Sequence, residues 1–354
     1  MIRILLAASI GLNVLAALFC LQYRYCGAAL DRPAQLTELL NRVMISRALF
    51  EVVNLNIPDL LHESPKKLED LAHLTGTHAP ALKRLMRALR ANGIFSLNSA
   101  GCYQNNEVSA YLCQDHPQTL APYVLHDDPT RWNALGNLGM SLKTGKPSFD
   151  QLYGTDYFKY VKDKPVLSKR FDDAMTVISA QEDALIAESV LFHGTVADIG
   201  GGAGQLLSKI KAKAPSVQGI LVDLPQVTQY VSAEAPFQVV AGSFFDTIPV
   251  RADIFILKRI LHDWNDEQAI VLLRNVVAAM DEDSCLYIID AIVDECENRA
   301  LITDIDLRLL TIFGGQERER VDFERLCAQV GLRICTTKAI SPIIHVLMCE
   351  KIKA

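Results

Sequence analysis

The stretch VADIGGGAG, residues 196–204, sets Asp198 ahead of Gly200, Gly201 and Gly202, with Gly204 following one small residue later. Glycine loses more conformational freedom on folding than any other residue, so four together imply a backbone that something must approach closely. The residues before it are apolar, and a helix-length stretch opens near Gln205. That is a strand, a glycine turn and a helix. In open sheets built this way, ligands sit beyond the carboxyl ends of the strands.

The sequence around it repeats the texture. TVADIG, QGILVDL, FQVVAGSFF, ADIFILKRI and SCLYIIDAIV are short apolar runs separated by helix-length stretches. Buried strands alternating with helices predict a doubly wound, mostly parallel sheet of the Rossmann-like α/β class. The tail departs from this: LRICTTKAI and IIHVLMCEKI flank a Ser-Pro turn, which predicts an antiparallel hairpin at one sheet edge. Upstream, LTELLNRVMISRALFEVVNL, LEDLAHLTG and ALKRLMRALRANGIF carry helical periodicity, punctuated by Gly76 and Gly93. LAHLTGTHAPALKRLMRAL has the layout of a helix-turn-helix, and IFSLNSAGCYQNN that of a small wing. The expected organisation is an apolar segment over 1–32, a winged-helix-like all-α domain over 33–120, a helical pocket region over 121–190 and the sheet domain over 191–354.

Bulk properties exclude several classes. A chain of 354 residues is too long for one ordinary core. A net charge of −6 disfavours general affinity for nucleic acid. Lys83, Arg84, Arg87 and Arg90 would face DNA in a helix-turn-helix reader, but the local excess of positive charge is small, so the scaffold reading is preferred. Nine cysteines without a CxxC pair or zinc spacing read as reduced thiols of a cytoplasmic protein, and no metal site is expected. Residues 4–23, between Arg3 and Arg24, carry no charge and are long enough to span a bilayer. An anchor there would leave the bulk of the chain on the cytoplasmic side, because Arg24, Arg32, Arg42 and Arg47 follow it. An extra interface helix and a signal-like stretch are the other readings, the latter disfavoured by the length of the apolar run and the lack of a clean A-x-A site.

The glycine turn has a second partner in Asp223, 19 residues after Gly204 at the end of the next predicted strand. A carboxylate there suits ribose hydroxyls, so the site is expected to take a nucleoside. A dinucleotide would set its pyrophosphate at the helix start. Asp198, two residues before the first glycine, suits an ammonium group reached through ordered water instead, and S-adenosylmethionine carries one and no phosphate. The fourth strand of the sheet delivers LKRILHDWNDEQ, residues 257–268, to the same face. His262 there is either a general base or a cap before the helix that Asp266 and Glu267 begin.

DIGGGAG, GILVDLPQV, AGSFFD, LKRILHDWNDEQ and GGQERE, with TGKPSFDQLYGTDYFKYV and RFDDAM, together resemble the class I S-adenosylmethionine-dependent O-methyltransferases of small molecules. The kin are hydroxyindole and plant phenolic enzymes and their bacterial relatives. The likeness runs from about residue 33 to the end. It implies a homodimer, S-adenosylmethionine as cofactor, a small aromatic hydroxyl substrate and no metal. It implies His262 as the base, supported by Glu317 and Asp290. Cofactor contacts are implied at Asp198, Gly200, Gly202, Gly204, Asp223, Leu224, Ser243, Phe244 and Lys258, and a substrate wall at Trp132, Phe171 and Met175. Arg308 stands where plant enzymes have a methionine, so the acceptor does not carry over. A sulfonium methyl needs in-line positioning and a deprotonated nucleophile, and a phenol of pKa about 10 lies within reach of an assisted histidine. Transfer to nitrogen or carbon, a cofactor-binding relative without transfer, a DNA-binding regulator and a nicotinamide-dependent dehydrogenase are the rival readings.

Overall fold

The computed structural model describes residues 32–353. Residues 4–23 lie outside the described residues. Among the described residues no helix is long and apolar enough to cross a membrane. The chain forms two compact units, one ending at Asp128 and including Asp173–Val177, the other comprising Pro129–Asp172 and Ile178 onwards.

In the first unit, α1 (Arg32–Asn54) is followed by α2 (Ile57–Glu63), α3 (Leu68–Thr75), α4 (Ala79–Ala91), a hairpin of β1 (Ser96–Leu97) and β2 (Tyr103–Gln104), and α5 (Ala121–His126). Gly76 ends α3 in the left-handed conformation at φ 63°, which a side chain would resist. The helix-turn-helix and its wing are therefore present in outline. Val52, Ile57, Leu61, Leu71, Leu82, Met86 and Leu89 fill the core. The first half of α1 contributes nothing to it: Leu36, Leu39, Leu40, Val43 and Met44 are 48–76% exposed.

The second unit begins with α6 (Pro129–Gly136), α7 (Leu138–Thr144), α8 (Ser148–Tyr153), α9 (Tyr157–Lys162) and α10 (Pro165–Ser189). Alternation follows: β3 (Thr195–Ile199), α11 (Gln205–Lys213), β4 (Gln218–Asp223), α12 (Pro225–Thr228), β5 (Gln238–Ala241), β6 (Ile254–Lys258), α13 (Asp266–Ala279), β7 (Cys285–Asp290), α14 (Arg299–Ile312), α15 (Arg320–Gln329), β8 (Leu332–Ala339) and β9 (His345–Lys351). The seven-stranded sheet runs β5-β4-β3-β6-β7-β9-β8. The first five strands pair in parallel, and β9 is antiparallel to both β7 and β8. The chain reverses its direction of travel across the sheet between β3 and β6, which opens a crevice at their carboxyl ends.

The glycine loop lies at that crevice. Gly200, Gly202 and Gly204 have φ of 75°, 60° and 73°. Their neighbours differ. A Cβ at Gly204 would meet the Phe237 ring at 2.3 Å, and one at Gly201 the Asp198 carboxylate at 2.4 Å. A Cβ at Gly202 would meet nothing within 4 Å. A Cβ at Gly200 would likewise meet Ile260 at 2.6 Å, so three of the glycines answer to the protein's own side chains, and Gly202 keeps the open face. Gly204→Ala should lose more stability to urea than Gly202→Ala, whose cost is confined to the left-handed conformation, about 1–2 kcal/mol. Equal losses in the two variants would contradict this account of the loop.

Candidate active site

Four strand ends converge on the crevice, and each brings a polar group. From β3 comes Asp198, 2% exposed, whose Oδ1 accepts no hydrogen bond. From β4 comes Asp223, whose Oδ2 accepts from the Gly202 amide at 2.8 Å and Oδ1 from the Leu224 amide at 2.7 Å. Asp223 thus ties the glycine loop to the next turn and keeps further lone pairs for a ligand. From β6 comes Lys258, paired with Asp183 at 2.7 Å. From β7 comes Asp290, fully buried.

Burial is the first influence on each acid. It pushes Asp198 up to about 7, with the charge of Asp183 adding to the effect and Lys258 opposing it. It also raises Asp223, against the two amide hydrogen bonds that stabilise the anion. Ser243 and Phe244 follow β5. The Ser243 hydroxyl accepts from the Phe245 amide at 3.1 Å, and the Phe244 ring would lie 3.3 Å from a Cβ at Gly200.

His262 sits in a short 3-10 turn, Leu261–Asp263, directly after β6. It is not the helix cap: Asn265 caps α13, its side chain accepting from the Gln268 amide. The imidazole Nδ1 lies 3.0 Å from Glu317 Oε1 and 3.7 Å from Asp290 Oδ1, and Nε2 lies 3.7 Å from Asp263 Oδ1. Glu317 is therefore the hydrogen-bond partner, while Asp290 acts by charge alone. Its aspartate side chain is too short for a contact, and neither oxygen accepts a hydrogen bond. Burial alone would lower the His262 pKa, but Glu317, then Asp290 and Asp263, outweigh it and push it up to about 9. Burial would raise Glu317, yet His262, Arg259 and Arg318 hold it below the ordinary glutamate value. Burial, with Glu317 adding, moves Asp290 up to about 7. One atom each of His262, Asp290 and Glu317 lies within 4.8 Å of the other two, a spacing that a cation could also bridge. Arg259 Nη1, 3.9 Å from Glu317 Oε1, already brings positive charge to that spot.

The approach of Glu317 depends on GGQERE. Gly314 is left-handed at φ 75°, and a Cβ at Gly315 would lie 2.0 Å from the His262 carbonyl. Only glycine lets the two backbones touch. The Gln316 amide then donates to that carbonyl at 2.8 Å, and the Glu317 amide to Asp306 at 2.7 Å. Arg318, 1% exposed, completes the assembly. Its guanidinium donates to the carbonyls of Leu261 at 2.6 Å and Trp264 at 2.8 Å, and to Asp266 at 2.9 Å.

An aromatic wall adjoins the turn. Phe158 stacks on Trp264 at 5.8 Å and on Phe313 at 5.3 Å between ring centroids, and Phe171 lies 5.8 Å from Phe158. Trp132 is half-buried on α6, one residue after Arg131, whose guanidinium lies over the Tyr157 and Phe313 rings. Met175, one turn beyond Phe171, belongs to the stretch 173–177 that clusters with the first unit.

Sequence reasoning missed four polar residues here: Arg318, Arg259, Glu182 and Asp183. Arg259 donates to Glu182 at 2.7 Å from a left-handed backbone, φ 55°. The signal for Asp183 was present. It shares a helical stripe with Ile186, Ala187 and Val190, all buried, where an unpaired carboxylate is costly.

The chain is similar to known proteins over most of its length. Residues 132–333 match an O-methyltransferase domain model, and residues 37–115 an O-methyltransferase dimerisation domain model. The mitomycin biosynthesis 6-O-methyltransferase of Streptomyces lavendulae is 33% identical over 84% of this chain and 88% of its own. The structure of the mitomycin 7-O-methyltransferase MmcR superposes with a TM-score of 0.85 at 30% identity, covering 90% of this chain and 97% of that one. The neocarzinostatin-pathway O-methyltransferase NcsB1, in complex with S-adenosylmethionine and 2-hydroxy-5-methyl naphthoic acid, gives 0.77 at 29% identity over 87% and 96%.

Arg318→Met should destabilise the second unit by about 3 kcal/mol, since it strips donors from two carbonyls and a carboxylate at once. Chemical denaturation followed by tryptophan fluorescence reads this directly, because Trp264 sits on the clamped turn. An unchanged midpoint would remove Arg318 from its structural role.

Proposed function

The chain belongs to the O-methyltransferase family, and we propose that it methylates a phenolic or enolic hydroxyl of a small aromatic molecule, with His262 taking the proton. The observation that carries this is the 3.0 Å contact between His262 Nδ1 and Glu317, with Asp290 behind it and the aromatic wall beside it.

The methyl donor is S-adenosylmethionine, and when bound it supplies a methyl group already activated by the sulfonium. The residues of the crevice fit such a cofactor. Gly202 offers backbone without a side chain, Asp223 retains acceptor capacity at the end of β4, and Asp198 holds a buried oxygen in want of a donor. Phe244, Ser243, Leu224 and Lys258 complete the group of contacts.

The base works through its tautomer. Glu317, held ionised, accepts from Nδ1–H, which leaves Nε2 as the nitrogen that receives a proton. The carboxylates also raise its basicity. An ordinary histidine lies more than three units below a phenol, whereas a value of about 9 lies close to the phenol's pKa of about 10. Near-matched values favour proton transfer in the transition state. The aromatic rings of Phe158, Phe171, Trp264 and Phe313 hold a flat substrate and exclude water.

We also infer a homodimer. The exposed row Leu36, Leu39, Leu40, Val43 and Met44 lies on one run of α1, inside or next to the segment matching the dimerisation model. A monomer would leave that apolar surface in water. Leu36→Glu with Leu40→Glu should convert the protein to a monomer by light scattering at micromolar concentration. A dimer that survives both charges would place the interface elsewhere.

The pH profile tests the base. His262 accepts a proton only when neutral, so kcat/KM should rise with pH towards about 9. Glu317→Gln removes the largest charge that raises His262, so the rising limb should shift to lower pH while the plateau falls. His262→Ala should cost on the order of 10²- to 10⁴-fold in kcat with cofactor affinity retained. Transfer to a phenol that survives His262→Ala at full rate would defeat the proposal.

A further inference from the structure

Three buried acids, Glu182, Asp183 and Asp198, and two largely covered cations, Lys258 and Arg259, lie together where β3, β6 and α10 meet. Their pairing leaves a remainder. Arg259 is matched by Glu182, whose two oxygens lie 2.7 and 3.5 Å from the guanidinium. Lys258 is matched by Asp183 at 2.7 Å, with Glu182 farther away at 3.9 Å. Three acids stand against two bases, and Asp198 is the acid without a cation. Its Oδ1 accepts no hydrogen bond. It stands in register with Ile256, two residues before the Lys258 that holds Asp183, and the like charge of Asp183 acts on it more strongly than Lys258 does. Two buried carboxylates acting on one another, both 2% exposed, form a place where a cation is stabilised and an anion is not.

The chemistry of that cation is constrained. A hard divalent ion takes six or more oxygen ligands and would be repelled by Lys258, which already sits on one of the two carboxylates. A primary ammonium has three donors, carries one charge and matches two carboxylates. The place lies beside the glycine loop: the Asp198 carboxylate packs against Gly201, next to the open Gly202.

We propose that Asp183 and Asp198 together receive the α-ammonium group of the methyl donor, with Lys258 holding Asp183 in place. Asp183 is thus a cofactor-binding residue on a helix, outside the strand-end motifs. The proposal rests on the S-adenosylmethionine reading above and is separable from it.

The test is calorimetric titration of the full chain with S-adenosylhomocysteine and with its deamino analogue, which keeps the carboxylate and lacks the ammonium. Wild type should favour S-adenosylhomocysteine on the order of tenfold or more, and Asp183→Asn should bring the two within a few-fold of each other. Equal affinity in wild type, or an undiminished preference in a folded Asp183→Asn variant, would overturn the proposal. Failure of both compounds to bind wild type would overturn the cofactor reading itself. A crystal structure of the wild-type complex with S-adenosylhomocysteine decides the matter without a variant. The ammonium nitrogen should lie within hydrogen-bond distance of an Asp183 oxygen, about 3.2 Å or less, and a separation of two water diameters would reject the assignment.

Discussion

The His262 side of the crevice depends on one backbone-to-backbone contact. Gly315 lies against the His262 carbonyl so closely that a methyl group would sit 2.0 Å from it. From that contact the rest follows in order. The Gln316 amide closes on the same carbonyl, Glu317 is delivered to the imidazole, and Arg318 reaches past it to clamp Leu261, Trp264 and Asp266. His262 and Glu317 come from segments 55 residues apart, each holding the other in place. A side chain at position 315 would separate all three pairings together, so this motif acts as a unit.

Charge is handled differently on the two sides of the crevice. Around His262 there is an excess of carboxylate, from Glu317, Asp290 and Asp263, and the histidine is the group that absorbs it by becoming a stronger base. Around Asp198 the excess has no protein group to absorb it, since Lys258 and Arg259 are already engaged. Buried charge is expensive, several kcal/mol for each ion, unless it is paired. An imbalance kept at such a cost marks a place where an incoming group completes the pairing. Under the proposals made above, the same physics makes one carboxylate cluster a tuner of basicity and the other a receptor for a cation.

The strands were fully legible, because a parallel sheet buried on both faces writes itself as apolar runs, and TVADIG, QGILVDL and ADIFILKRI differ little from β3, β4 and β6. The hairpin showed itself through the Ser-Pro turn. The left-handed glycines at 200, 202 and 204 were legible as a cost, but not their separate causes: Phe237, which fixes Gly204, is 33 residues downstream and nothing local announces it. Asp290 was legible by position, and its geometry was not, since one methylene decides between 3.7 Å and a hydrogen bond. Arg318 was hidden for a further reason. A charged residue in a sequence reads as solvent-facing, and only the fold shows that it is enclosed. Asp183, on a stripe of apolar residues, carried a readable signal.

Arg259 joins the two sides. It follows the last residue of β6 and takes up φ 55°, a conformation that costs a side-chain-bearing residue about 1–2 kcal/mol. Its amide still completes the ladder to Ile289, so the strand is not released until that point. The chain must then turn sharply enough for Lys258 to face α10 and His262 to face Glu317, four residues apart. A relaxed backbone would carry both side chains along the direction of the strand, and Lys258 and His262 could not each reach its own carboxylate cluster from a stretch so short. Glu182 offsets the strain by gripping the guanidinium with both oxygens, and Glu317 lies 3.9 Å from its far side. The strained residue is thus held by the acids of the two clusters it connects, and a single turn of backbone sets the separation between them.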